Sequence, residues 1–165
     1  NWLMVIGNGL KTDNQQLTTD NRQQKTKTML LNPYLNFDGN AEEAFRFYQT
    51  VFGGDLTVSK MSDAPGGENL PEHEKNRAMH VALPIGKGQY LMASDCLPSA
   101  GHVLKVGNNN YISITPDSRD EADRLFNGLS AGGKVEMPMD DMFWGDYFGS
   151  FVDKFGVCWM INFSS

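Results

Sequence analysis

The residue best suited to proton chemistry is His80, which lies inside the run RAMHVALPI at residues 77–85. An imidazole gains and loses a proton close to neutral pH, so it can serve as acid or base. Met79, Val81 and Leu83 alternate with His80 and Ala82, so a strand here would put the imidazole on one face with Ala82. Asp95 closes the next apolar run, QYLMASD at residues 89–95. A carboxylate within reach of that imidazole would complete an acid–base pair. Each residue also has a plainer use, the histidine as a hydrogen-bonded strand residue and the aspartate as a cap for the turn beyond it. Trp144 follows the acidic residues Asp140 and Asp141. Its indole offers an aromatic wall to a planar ligand, or alternatively seals a sheet edge. His73 and His102 fall in polar loops and should be solvated, and Ser62, Ser94 and Ser150 have no nucleophile-elbow context. Cys96 and Cys158 match no metal-ligand or redox spacing. Cys158, in the apolar run VCWMI, reads as core. A reducing, cytoplasmic setting is the simpler interpretation, with a Cys96–Cys158 bridge as the alternative.

The elements that must position these residues are written twice. EAFRFY at residues 43–48 returns as EADRLF at residues 121–126, an offset of 78, and Gly53-Gly54 returns as Gly132-Gly133, an offset of 79. Each copy follows a strand-like run, PYLNF or YISIT. In the first helix Ala41, Ala44, Phe45, Tyr48, Val51 and Phe52 recur at helical spacing, with Asn40 as cap and Glu43 three residues on. In the second, Ser118 is the cap, Glu121 follows three residues later, and Ala122, Leu125, Phe126 and Leu129 form the stripe. The glycines end both helices. Strands are expected at residues 56–61, 77–85 and 89–95, then at 134–137, 145–152 and 157–163, with residues 62–75 as a surface loop and 137–145 as another. GQYLMAS at residues 88–94 matches GVCWMIN at 156–162 with an offset of 68. The fold class is therefore α+β, built from two β-α-β-β-β repeats at about residues 29–96 and 110–165, joined by a linker over about 97–109.

Of the 165 residues, 40% are hydrophobic and 21% charged, as in a water-soluble globular domain. The net charge is −6. An acidic body argues against nucleic-acid binding, which needs clustered Lys and Arg. Residues 1–28 differ in kind, being polar and aperiodic after an apolar start at Trp2, Leu3, Val5 and Ile6. They read as a flexible N-terminal extension, or as an arm that docks its apolar start on a groove or a second subunit. That start is too short to span a bilayer, so no membrane partner is expected.

The run PYLNFDGNAEEAFRFYQTVFGG, MHVAL at residue 79, LMASD at residue 91 and the ending WGDYFGSFVDKFGVCWMIN with its DxFG turn resemble the PhnB-like branch of the vicinal oxygen chelate superfamily. That superfamily includes the glyoxalases, bleomycin-resistance proteins and dioxygenases, and the resemblance covers about residues 30–163. It implies a curled mixed sheet around a cup, and a homodimer. Some members of the branch carry a demethylubiquinone-methyltransferase label, yet no glycine-rich strand-to-helix loop is present here to seat a nucleotide-like methyl donor. Metal-dependent relatives place ligands on the first and last strand of each unit. Carried over by counting from the helices and the DxFG turn, those positions fall on Pro33, Tyr111, Met92 and Met160. Proline has no donor atom, and thioethers suit Cu(I) better than a hard divalent ion. The expectation is therefore no metal and no cofactor.

Three functions are compatible with these residues. The first is a binding protein for a small molecule, held in the cup by Tyr111, Met92, Met160, Asp95 and Trp144. The second is an enzyme of lyase, isomerase or transferase type using His80 as acid or base. The third is a dimeric protein that confers resistance by sequestering a drug or toxin.

Overall fold

The structure is a computed structural model and describes residues 29–164. The expected extension over residues 1–28, with its apolar start, lies outside the described residues. The first repeat contains β1 (Tyr34–Phe37), α1 (Ala41–Phe52), β2 (Thr57–Lys60), a one-turn helix α2 (Glu72–Lys75), β3 (Ala78–Gly86) and β4 (Gln89–Asp95). The second contains β5 (Ile112–Ile114), α3 (Arg119–Ser130), β6 (Lys134–Asp141), β7 (Asp146–Val152) and β8 (Cys158–Ser164). The expected order β-α-β-β-β is present in both.

Each repeat forms its own four-stranded mixed sheet, β1-β4-β3-β2 and β5-β8-β7-β6. The first strand of each lies parallel to the last, with Tyr34 opposite Met92 and Ser113 opposite Met160. The remaining pairs are antiparallel. The curled sheet implied by the resemblance is thus divided, and β1 and β5 are both edge strands.

The helices form because their apolar stripes can be buried. Ala41, Ala44, Phe45 and Tyr48 of α1 are buried, as are Ala122, Leu125, Phe126 and Leu129 of α3. Alternation sends Val81, Leu83, Leu91 and Ala93 from the first sheet, and Phe151, Trp159 and Ile161 from the second, into the same hydrophobic cluster. Burying each such side chain stabilises the fold by about 1.5–3 kcal/mol. Because both sheets turn their apolar faces to the shared helices, their other faces look outward.

The helix starts differ. Ser118 caps α3 as expected, its Oγ accepting from the Glu121 amide, and the Glu121 carboxylate accepts from the Asp117 amide. Asn40 precedes α1 but makes no side-chain cap bond. The start of α1 is tied instead to Asp95, whose Oδ1 accepts from the Gly39 and Ala41 amides at 2.8 and 3.0 Å. Gly53 ends α1 with φ 76° and Gly132 follows α3 with φ 76°, both in the region that favours glycine.

Other differences from the sequence reading have local causes. β6 runs on to Asp141, through part of the expected loop, because pairing with β7 overrides its polar composition. Pro138 is tolerated because β6 is an edge strand. Residues 61–77 contain two short 3-10 turns as well as α2, tied down by buried Glu74. Cys96 and Cys158 are free thiols, so the alternative of a bridge between them is set aside.

Candidate functional site

The outward faces of the two sheets carry the polar and soft groups. On the first sheet Leu91 and Ala93 point to the helices, so Met92 and Ser94 point outward, joined by Tyr34 and Asn36 of β1. His80 and Ala82 share that face, as the alternation required. The half-buried imidazole meets Tyr34: Oη lies 3.4 Å from His80 Nδ1, and the rings stack with centroids 5.9 Å apart. A hydrogen bond of that length is weak, so the stacking does more to orient the pair. A bulge at Met79 of β3, opposite Ser59 and Lys60 of β2, shifts the register beside His80.

Asp95 does not join His80. It points to the helix side, buried, and its Oδ2 accepts from the Ala78 amide at 2.7 Å in addition to the two bonds at the start of α1. A carboxylate holding three amides anchors β1, β3, β4 and α1, so the anticipated acid–base pair and the ligand-contact role give way to a structural one. His73 and His102 are exposed.

On the second sheet Met160, Asn162, Ser113 and Ser150 point outward, opposite in sense to Trp159 and Ile161. Tyr111, just before β5, has the same parity as Ser113 and donates its phenol to Glu136 Oε2 at 2.8 Å. Glu136 belongs to β6, the other edge of this sheet, so the contact crosses the face and curls the sheet. It can do so because β6 is bulged: Val135 pairs with Phe151 but Met137 pairs with Ser150, leaving Glu136 as the extra residue. The hydrogen bond to Glu136 raises the Tyr111 pKa, keeping the phenol protonated. Cys158 shares the parity of this face but is buried, as expected of a core residue, beside the main hydrophobic cluster. Burial pushes its thiol up, so it stays neutral and is a poor nucleophile.

Trp144 sits in the β6–β7 turn, half exposed, edge-on to Phe148 at 6.0 Å and to Phe143 at 4.9 Å. Behind it Asp146 accepts from Ser164 Oγ at 2.7 Å and Asn162 Nδ2 at 3.1 Å. Those donors, the Ser164 hydroxyl foremost, hold the Asp146 carboxyl below its usual range. On the opposite, helix-facing side of β7, a Cβ at Gly149 would come within 2.8 Å of Phe126 Cε2, so glycine lets α3 pack closely there.

The register sets other residues than the carried-over ones beside the two methionines. Tyr34, not Pro33, stands against Met92, while the Pro33 carbonyl accepts from the Met92 amide at 3.1 Å. Ser113, not Tyr111, stands against Met160. A phenol, a hydroxyl and two thioethers do not make a site for a hard divalent ion. No group of three His, Cys, Asp or Glu side chains converges among the described residues. The superfamily's metal therefore does not fit these residues.

A groove of about 910 Å³ separates the edge strands β1 and β5, lined by Tyr34, Leu35, Tyr111, Ser113, Arg124 and Trp159 among others. It brings Tyr34 and Tyr111 to one cleft with helix-facing residues such as Leu91 and Leu125, whereas His80, Met92, Met160 and Trp144 do not line it. Tyr34, Ser113 and Glu136 were missed as site residues by sequence reasoning. The parallel register identifies the first two. For Glu136 the available signal was Pro138, which breaks the alternation of its strand.

The sequence model of the family described as "3-demethylubiquinone-9 3-methyltransferase" matches residues 29–162. Protein YjdN of Escherichia coli K12 is 32% identical over 147 residues, covering 81% of this chain and 95% of that protein. Among solved structures, protein PA1353 from Pseudomonas aeruginosa is 40% identical with a TM-score of 0.73, covering 83% of this chain and 98% of its own. A PhnB protein from Bacillus cereus, at 24% identity and TM-score 0.64, covers 82% and 100% and shares the fold. The same holds for a glyoxylase/bleomycin resistance protein/dioxygenase domain from Frankia sp. EAN1pec at 12% identity and TM-score 0.60, covering 84% and 93%. The chain thus belongs to the PhnB- and YjdN-like family that carries the 3-demethylubiquinone-9 3-methyltransferase description, and it has a glyoxalase-like fold.

Proposed function

We propose that the protein binds a small organic molecule on the outward faces of its sheets, to either side of the β1–β5 cleft, without a hard divalent metal. The observation that carries this reading is the make-up of the faces. Tyr34, His80 and Met92 on one, and Tyr111, Met160 and Trp144 on the other, offer aromatic and thioether surface with a few directed hydrogen-bonding groups. That mixture suits a ligand pocket. A thermal-shift panel of planar aromatic and phosphonate compounds tests it, with at least one compound expected to raise the unfolding midpoint in a dose-dependent way. A panel without any shift would sink the reading. Stoichiometric zinc, manganese, nickel or iron that survives dialysis would overturn its metal-free part.

The Tyr34–His80 contact favours His80 as the acid–base group of any turnover on that ligand. Turnover that persists undiminished in His80→Ala would remove His80 from that role.

A homodimer belongs to the same reading. Among the described residues the edges β1 and β5 are open, and Leu31 and Tyr34 beside them are 85% and 48% exposed. A second copy covering these edges would close the cleft and remove an aggregation hazard. Light scattering on the size-exclusion peak should give twice the chain mass, and a monomer at micromolar concentration would contradict it. Cytoplasmic location is consistent with two free thiols, Cys96 and Cys158, and subcellular fractionation tests it.

A further inference from the structure

The two outward faces differ in charge. On the first sheet Tyr34, Asn36, Ser59, His80, Met92 and Ser94 stand outward, and no carboxylate is among them. On the second, three carboxylates lie on or beside the face. Glu136 is aimed inward across it by the β6 bulge, Asp140 pairs with outward-facing Phe148, and Asp146 opens β7. Lys134, opposite Val152 at the far end, is the cation on the same strand face.

Glu136 differs in its partner from Asp141, Asp117 and Glu42, and resembles Asp123, which accepts from the Tyr147 phenol at 2.7 Å. Asp141 pairs with Arg119, Asp117 with Lys87 and Glu42 with Lys60. Among the described residues Glu136 is held by the Tyr111 phenol and paired with no lysine or arginine. A phenol leaves the carboxylate its full charge. Beside it lies an apolar wall at the surface: Trp144 is 50% exposed, Met137 is 40% exposed, and Phe148 backs the indole. Ser150 is opposite Met137, and Phe148 is two residues away along β7, about 7 Å. Trp144 stands a further 6.0 Å from Phe148, so carboxylate and wall lie along the same face.

We infer that the second outward face is a subsite for an organic cation, an ammonium carried on a flat apolar body. The ammonium lies against Glu136 and Tyr111, and the body lies against Trp144, Phe148 and Met160. Carboxylates at the rim of an aromatic wall favour such a ligand over its neutral or anionic isosteres, through charge and through cation–π contact. This subsite rests on the small-molecule reading above and gives it a ligand class.

Three probes with one indole ring separate the charges: tryptamine, tryptophol and indole-3-propionate, each titrated calorimetrically into the full chain. Tryptamine is expected to bind roughly tenfold more tightly than tryptophol, with indole-3-propionate weakest. Glu136→Gln should abolish the tryptamine preference and leave tryptophol binding in place. Glu136 is exposed on an edge strand, so the variant should fold, and its circular dichroism spectrum will verify this. Glu72→Gln removes an exposed carboxylate elsewhere and should change nothing. Equal binding of the three probes, tightest binding of the anion, or a preference that survives Glu136→Gln would overturn the subsite. If the neutral or anionic probe binds and the ammonium does not, only the cationic subsite falls. If none binds, and the wider panel is also silent, the small-molecule reading falls with it.

Discussion

Helices α1 and α3 occupy matching places in the duplicated unit, but they are fixed by different chemistry. The start of α3 is local: Ser118 and Glu121 satisfy amides within a few residues. The start of α1 is held from β4 by Asp95, more than fifty residues along the chain. At the offset of 68 that aligns the last strands, the counterpart of Asp95 is Phe163. The second repeat buries its own carboxylate elsewhere. Asp153, in the DxFG turn, accepts from the Phe155 and Val157 amides, the Tyr48 hydroxyl and the Trp159 indole, and its counterpart in the first repeat is Ile85. Each repeat therefore buries one aspartate that the other lacks. Duplication preserved the backbone plan and the helix-facing apolar pattern. The polar anchors beneath it diverged, as did the outward faces.

Removing the anchors should break the comparison most visibly. Asp153→Ala strands four donors, two of them side chains in the shared core, and should cost about 4 kcal/mol in urea denaturation. Because Tyr48 comes from α1, the loss should be felt in both repeats as one cooperative transition. Two separated transitions would mean that the repeats do not share a core. Asp95→Ala strands three amides and should cost about 3 kcal/mol, whereas Ser118→Ala should cost about 1 kcal/mol, the usual effect of losing a cap. Equal losses at the two helix starts would deny that α1 depends on its distant aspartate.

How much of this was legible in the sequence follows the same division. The helix stripes, both glycine stops, the Ser118 cap and the outward placing of His80 with Ala82 follow from local periodicity, and the structure has them. What the sequence hid depends on pairing across space. A parallel register is set by how two distant strands pack, so counting from the helices landed on Pro33 where Tyr34 stands. Asp95 read as a cap for the next turn or a partner of His80 because its amide partners lie up to 56 residues away. Glu136 owes its direction to a bulge, and strand alternation cannot represent an extra residue. The chemically interesting face was hidden in the places where local rules fail, which is where strained or functional features concentrate.

The smallest expected effect concerns the connection between the second and third strands of each repeat. In the second repeat it is the short turn after β6, closed by the bond from the Gly145 amide to the Met142 carbonyl. In the first it is the longer passage over residues 61–77, and buried Glu74 clamps it by accepting from the amide and hydroxyl of Ser99. The Ser99 hydroxyl, then its amide, His73 and Arg77, hold the Glu74 carboxyl below its ordinary value of 4.5, against the opposing effect of burial. A carboxyl lowered on folding contributes stability that is complete above about pH 4.5 and is lost as the pH falls through the lower folded value. Glu74→Gln should therefore raise hydrogen exchange across residues 61–77 at pH 7 by roughly threefold or more, without moving the global unfolding midpoint appreciably. In the unmodified protein the same segment should open progressively below pH 4.5, so the two proteins converge in acid. The turn after β6 has no such carboxyl clamp among the described residues and should exchange alike in both proteins at every pH. Exchange that rises equally in both connections, or a Glu74→Gln protein identical to its parent at pH 7, would show that the longer connection is held by its packing and not by this carboxylate.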